Sequence, residues 1–220
     1  MTKNSICLLL LLTLLNSCNK HETAKAETDA PDFEGRIEYR LKFIPNPDKN
    51  VDTIKLKKEF GDKSIFIVKQ GATKQVNDFN YMTQQLFLPK ENRLYYTNRT
   101  QPEILFFYRC DKTDNKDFTS KVIKNADTIL GYVCNKLIYK DEFGQIDYYF
   151  APELKMDPKY TKDYSFMNRN KITQIMKSVY LKQVYRTPEY TAITEAIKVE
   201  KTKIDDHEFD KPKRKMIRER

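Results

Sequence analysis

Alternation of apolar and polar residues recurs along most of the chain, and it restricts the fold more than any other property of the sequence. Ile37, Tyr39, Leu41 and Phe43 alternate with Arg36, Glu38, Arg40 and Lys42, the period of two that gives a strand one buried and one wet face. Pro45-Asn46-Pro47-Asp48 ends this run. Similar patterns predict strands over residues 53–60, 64–69, 81–88, 93–97, 104–110, 121–124, 131–140, 146–150, 179–186 and 190–201. Polar turns such as Pro89-Lys90-Glu91-Asn92 separate neighbours by hairpin distances, which favours a long antiparallel meander. A hydrophobic content of 40%, with 12% aromatics and only five glycines, excludes disorder and a glycine-rich repeat. One mainly β (α+β) domain is expected.

Three strands are apolar on both faces: "SIFIV" at 64–68, "EILFFY" at 103–108 and "YYF" at 148–150. A bare apolar sheet face is an aggregation hazard, so these strands need a cover. Residues 157–177 supply the candidate: Asp157 can cap a helix, Pro158 suits its first turn, and Ile172, Ile175, Met176 and Val179 recur at helical spacing. Asn168 and Asn170 are expected to break this cover into two pieces.

The N-terminus has a different character. Lys3 precedes the apolar segment 6–15, and small Ser17 stands before Cys18, the layout of a secretory signal peptide. Ten apolar residues rise only about 15 Å as a helix, too short for a hydrocarbon core of roughly 30 Å. Leu15-Asn16-Ser17-Cys18 resembles a bacterial lipobox, which implies cleavage after residue 17 and lipidation of Cys18. Acyl chains contribute about 0.8 kcal/mol per buried methylene, enough for two or three to anchor a protein without a spanning helix. Residues 18–32 then read as lipid anchor and flexible tether, polar and free of aromatics. Removing 17 of 220 residues leaves 203, one domain of ordinary size.

Cys7 leaves with the leader and Cys18 is lipidated, so Cys110 and Cys134 remain as a pair in an oxidising compartment. A structural disulfide between them is the favoured reading, contributing roughly 3 kcal/mol in the chain-entropy model. Two buried free thiols are the alternative. The net charge of +9 is concentrated in "KPKRKMIRER" at the C-terminus. In an exported lipoprotein such a tail meets anionic headgroups rather than nucleic acid, and a solvated end fits the same residues.

Known catalytic patterns are absent from the sequence. Its two histidines, His21 and His207, cannot build a His-rich metal site, and no cysteine or acidic cluster has ligand spacing. No nucleophile elbow, phosphate loop or dinucleotide fingerprint occurs. The expectation is a protein that is not an enzyme, with no catalytic residue, no metal and no cofactor. Asp205, Asp206 and Glu208 read as solvated charges in a polar turn.

"FEGRIEYRLKF", "LFLPKENRLYY", "DTILGYVCNKLIY" and "AIKVEKTKIDDHEFDKP" resemble a family of uncharacterised Bacteroidota lipoproteins with a fold similar to that of the carrier LolA. The resemblance implies a curved antiparallel half-barrel over residues 33–212, with one or two helices across its concave face and a basic tail at 213–220. It also implies an outer-membrane location and a groove for a lipid, a lipoprotein acyl chain or another apolar ligand. Tyr81, Phe87, Tyr95, Phe106, Tyr108, Tyr148 and Phe150 are the candidate groove lining, although a tightly packed core accounts for the same residues. Glu195 joins them because it shares strand parity with Thr191, Ile193 and Ile197, with edge exposure as the alternative. An interaction module with a solid core, docking an envelope protein partner, is the competing functional reading.

Overall fold

The computed structural model describes residues 31–78, 82–111, 117–142 and 144–218, and Pro31–Arg220 forms one compact unit. Cys18 and the leader lie outside the described residues. Twelve strands are present among those described: β1 (Gly35–Pro45), β2 (Lys63–Lys69), β3 (Ala72–Asn77), β4 (Gln84–Leu88), β5 (Arg93–Thr97), β6 (Ile104–Arg109), β7 (Thr119–Ile129), β8 (Tyr132–Asp141), β9 (Gly144–Lys155), β10 (Ser178–Arg186), β11 (Tyr190–Lys201) and β12 (Lys215–Arg218). They form one open sheet in the order β12-β6-β5-β4-β3-β2-β1-β11-β10-β9-β8-β7. Two antiparallel meanders, β1 to β6 and β7 to β11, meet where β1 pairs with β11, from Gly35 opposite Lys201 to Pro45 opposite Tyr190. The protein is therefore mainly β, with few helices.

The segment 53–60, expected as a strand, is the helix α1 (Thr53–Phe60). Its alternation of Ile54 and Leu56 is overridden by the signals at its ends. The Asp52 carboxylate accepts from the backbone N–H groups of Ile54 and Lys55 at 3.0 and 2.9 Å, and Gly61 closes the C-terminus at φ 73°. β3 has the opposite history, since nothing in its polar sequence predicts a strand. Thr73 and Gln75 line a cavity on the inner face, while Lys74 on the outer face pairs with Glu208 at 3.2 Å. Neither face needs an apolar residue at these positions.

The cover between β9 and β10 is a strap rather than two helices. It runs through 3-10 turns at Pro158–Thr161 and Phe166–Asn168 into α2 (Arg169–Met176). Asp157 caps the first turn, accepting from Lys159 N at 2.9 Å, and the break falls at Asn168, which is left-handed at φ 54°. Val179 belongs to β10, not to the helix. Ile172 and Met176 of α2 bury against Leu137, Tyr139, Tyr148 and Phe150 of β8 and β9.

The strap shows that the sheet is rolled. Phe166 stacks on Tyr108 of β6, with centroids 5.6 Å apart. Two residues later, Asn168 Nδ2 donates to the Tyr139 hydroxyl of β8 at 3.0 Å. In the strand order β6 and β8 are nine steps apart, about 43 Å in a flat sheet, whereas two extended residues reach only about 7 Å. The two ends of the sheet therefore curl toward each other around the strap.

On the outer face, residues 202–214 return across the first meander. Asp206 pairs with Lys69 at 2.7 Å, and Glu208 pairs with both Arg36 (2.5 Å) and Lys74 (3.2 Å). Phe209 packs on the cluster of Leu86, Tyr95 and Leu105. This anchoring corrects the expectation of a free tail at 213–220: Lys215–Arg218 is β12, parallel to β6, with Ile217 packed against Tyr96, Ile104 and Phe106. Within β12 only Ile217 is partly buried, while Lys215, Met216 and Arg218 are exposed.

The expected disulfide is not formed: Cys110 and Cys134 are both free and buried. Cys110 follows β6, near one end of the strand order, and Cys134 lies in β8 near the other. Cys134 packs with Ile129, Ala151 and Leu154, whereas the Cys110 thiol neighbours the Tyr164 hydroxyl. Burial raises their pKa values, to about 12 for Cys110 and about 11 for Cys134, so both remain protonated thiols.

Glu208 generates a stability prediction. Hydrogen bonds and charge from Arg36 and Lys74 hold its carboxyl below the usual range, so its contribution is full above the unfolded pKa of about 4.3 and is lost as pH falls through the lower folded value. Glu208→Gln is expected to reduce stability by about 1 kcal/mol at pH 7. The deficit should shrink below about pH 4, as read from urea unfolding across pH.

Candidate functional site

The rolled inner face encloses a cavity of about 620 Å³, within the range of about 300–1,000 Å³ typical of ligand sites. Strand register builds much of its wall. Thr73, Phe87, Leu94 and Tyr108 lie opposite one another across β3, β4, β5 and β6. Phe66, Gln75 and Gln85 form a second row across β2, β3 and β4. On the other side Tyr148 of β9 stands opposite Leu137 of β8 and Gln183 of β10. Tyr139, Asp141, Ile146 and Tyr180 extend that side, and residues 156–172 contribute Met156, Tyr164, Phe166, Arg169 and Ile172.

The strap is held at both rims. Tyr164 packs on Phe87 with centroids 4.6 Å apart, and Ser165 N donates to the Cys110 carbonyl at 2.8 Å. The Asn92 side chain donates to the Asp163 carbonyl at 2.7 Å. At the far end Met156 N donates to Lys177 O at 3.0 Å, and the Ser178 hydroxyl lies 2.6 and 2.8 Å from the carbonyls of Ala151 and Leu154. Gly71 permits the closest approach: it sits at φ +76°, and a Cβ there would stand 2.1 Å from Tyr160 Cβ.

Electrostatically the cavity combines phenols with one guanidinium, Arg169, and one carboxylate, Asp141. Burial pushes Tyr148 up to about 12 and raises Tyr39, Tyr164 and Tyr180, while the nearby Arg169 charge acts in the opposite direction on all four. Tyr139 donates to Asp141 at 3.0 Å. No group of three or more His, Cys, Asp or Glu side chains suited to a metal occurs among the described residues. His207, hydrogen-bonded to Asp210 at 2.9 Å, is exposed on the 202–214 segment, away from the cavity lining. The geometry suits enclosure of an apolar molecule.

Of the expected lining residues, Phe87, Tyr108 and Tyr148 do line the cavity. Phe106 is packed with Tyr96, Ile104 and Ile217, and Phe150 lies beneath α2, so both are core beside the cavity. Tyr95 faces outward, covered by Phe209, with Lys211 Nζ 5.1 Å above its ring. Glu195 is also outside, 3.7 Å from Lys182 and half-exposed. A register shift between Glu38 and Tyr39 makes Ala196 the buried residue opposite Tyr39, which turns Glu195 away. Tyr81 lies outside the described residues. Sequence reasoning missed Tyr139, Tyr164, Tyr180 and Arg169, although two aromatics spaced by one residue in the polar stretch "KDYSFMNRN" were an available signal.

No protein-family model and no curated protein matches the sequence. Among solved structures, PNGF-II is similar in its C2 and P21 crystal forms, each with a TM-score of 0.51 and 16% identity over 85% of this chain. The chain spans about a third of the length of PNGF-II, 31% and 32% in the two forms. At this identity the likeness concerns the fold alone.

Gly71→Ala tests the strap contact. Its Cβ would meet Tyr160 in a left-handed backbone, so a loss of about 2 kcal/mol or more is expected in thermal or urea unfolding. Limited proteolysis should show earlier cleavage within residues 156–177 than in the unsubstituted protein.

Proposed function

We propose that this protein is a lipid-anchored component of the cell envelope, not an enzyme, whose LolA-like half-barrel holds a lipid, a lipoprotein acyl chain or another apolar ligand. The observation that carries this reading is the cavity of about 620 Å³ between the rolled sheet and its strap, walled largely by aromatic and aliphatic side chains. A core packed solid by the same strands would leave no such space. Anchoring at the outer membrane through lipidated Cys18 rests on the lipobox-like Leu15-Asn16-Ser17-Cys18 sequence. No described helix is long and apolar enough to cross a membrane.

A second reading has its own observation. Ile65, Val76 and Ile197 are exposed and border a shallow depression on the outer face with Glu38 and Asp78, the kind of surface on which an envelope protein partner could dock. The cavity carries the first reading further, because it is larger and is built from residues of both meanders.

Native mass spectrometry on the chain from Asn19 onward, expressed into a periplasm, is expected to show a lipid-sized adduct that organic solvent removes. Thr73→Trp with Gln183→Trp, which fills the cavity, should abolish the adduct while the fold is retained by circular dichroism. A bare mass that persists after incubation with envelope lipids would contradict the ligand reading and favour docking. Separately, Cys18→Ser is expected to abolish palmitate labelling and move the full chain from the membrane to the soluble fraction.

A further inference from the structure

Arg169 is the cavity's distinguishing group. Its guanidinium contributes to the wall, within electrostatic reach of Tyr39, Tyr148, Tyr164 and Tyr180. Among the described residues no carboxylate lies within ion-pair distance of it, in contrast to Arg36, Arg109 and Arg186, which pair with Glu208, Asp111 and Asp147. Asp141 lines the same cavity but takes its hydrogen bond from Tyr139. Arg169 is part-buried and shares the lining with one carboxylate, Asp141, which is not within ion-pair distance, so among the described residues its guanidinium fork is left without a direct anionic partner, where a counter-ion is favoured.

Size restricts what that counter-ion belongs to. At about 30 Å³ for a water-sized group, of which a methylene is one, 620 Å³ accommodates about twenty such groups. That is room for one acyl chain of about sixteen carbons with a small head.

We propose, resting on the ligand reading above, that the cavity binds a single-chain amphiphile with an oxyanion head, the head on Arg169 and the chain among Phe66, Phe87, Tyr108 and Tyr148. The planar guanidinium fork suits a carboxylate or a phosphate, which accept two parallel N–H donors from it. Of the nearby phenols, Tyr39 already donates to the Tyr180 carbonyl and Tyr164 is hydrogen-bonded with Cys110, whereas Tyr148 and Tyr180 line the cavity and can donate to the same oxygens. A fatty carboxylate and a lysophospholipid phosphate share this chemistry.

The test is displacement of the neutral dye N-phenyl-1-naphthylamine from the chain beginning at Asn19, by palmitate, 1-palmitoyl-lysophosphatidate or 1-monopalmitoylglycerol. At least one of the two anions is expected to displace the dye at concentrations tenfold or more below the neutral glyceride, and the stronger of them identifies the head. Arg169→Gln should remove that preference and leave displacement by the glyceride unchanged, while Arg169→Lys should retain part of it. A merely structural role for Arg169 would weaken all three ligands together and would overturn the proposal. So would equal displacement by anions and glyceride, with the dye still bound, which leaves the apolar cavity standing. If neither dye nor any amphiphile binds, the cavity reading falls as well.

Discussion

Two contacts made by neighbouring residues of the strap hold the architecture together: Phe166 on Tyr108 of β6, and Asn168 on Tyr139 of β8. The strands they touch stand near opposite ends of the sheet order. A sheet bridged in this way must roll, and rolling decides what each strand face sees. The inner face of the first meander looks across a cavity at the second, so Thr73, Gln75 and Gln85 can be polar there without being buried in a dry core. The strap is the element that converts an open sheet into a container.

The outer face is closed by a different kind of interaction. Residues 202–214 bring one aromatic, Phe209, and a series of ion pairs onto the first meander. These pairs are partly exposed, so solvent and salt screen each of them. Together with Phe209 they bring the basic C-terminus to the sheet edge, where β12 covers the exposed N–H and C=O groups of β6. The opposite edge, β7, has no protein neighbour on its outer side among the described strands.

Much of the sheet was legible because period two is a direct image of a two-faced strand; β5 runs over the same residues that the pattern selects, 93–97. The failures have local causes. The 53–60 segment alternates like a strand, but its Asp52 and Gly61 caps make it a helix. β3 lacks an apolar face because its surroundings do not require one. The cavity was half legible: Phe87, Tyr108 and Tyr148 follow from strand parity, whereas Tyr95 faces outward because register puts Leu94 opposite Phe87 and Tyr108, and Glu195 depends on where β11 bulges. Arg169 shares the face of α2 that carries Ile172 and Met176, three and seven residues on, but an apolar stripe does not single out a charged residue at its start. The pairing of Cys110 with Cys134 was attractive by elimination, but Cys134 is buried with Ile129, Ala151 and Leu154 while the Cys110 thiol sits beside Tyr164, and both are free.

The roll of the sheet around its strap can be examined directly by nuclear Overhauser spectroscopy on the isotope-labelled chain beginning at Asn19. Cross-peaks are expected from the Phe166 ring to the Tyr108 ring and, in the same sample, from the Asn168 side-chain amide to the Tyr139 ring. Both sets together require β6 and β8 to approach each other across the strap. Cross-peaks to only one of these strands, with the other showing only contacts to its sheet neighbours, would contradict the rolled sheet and remove the enclosed cavity with it.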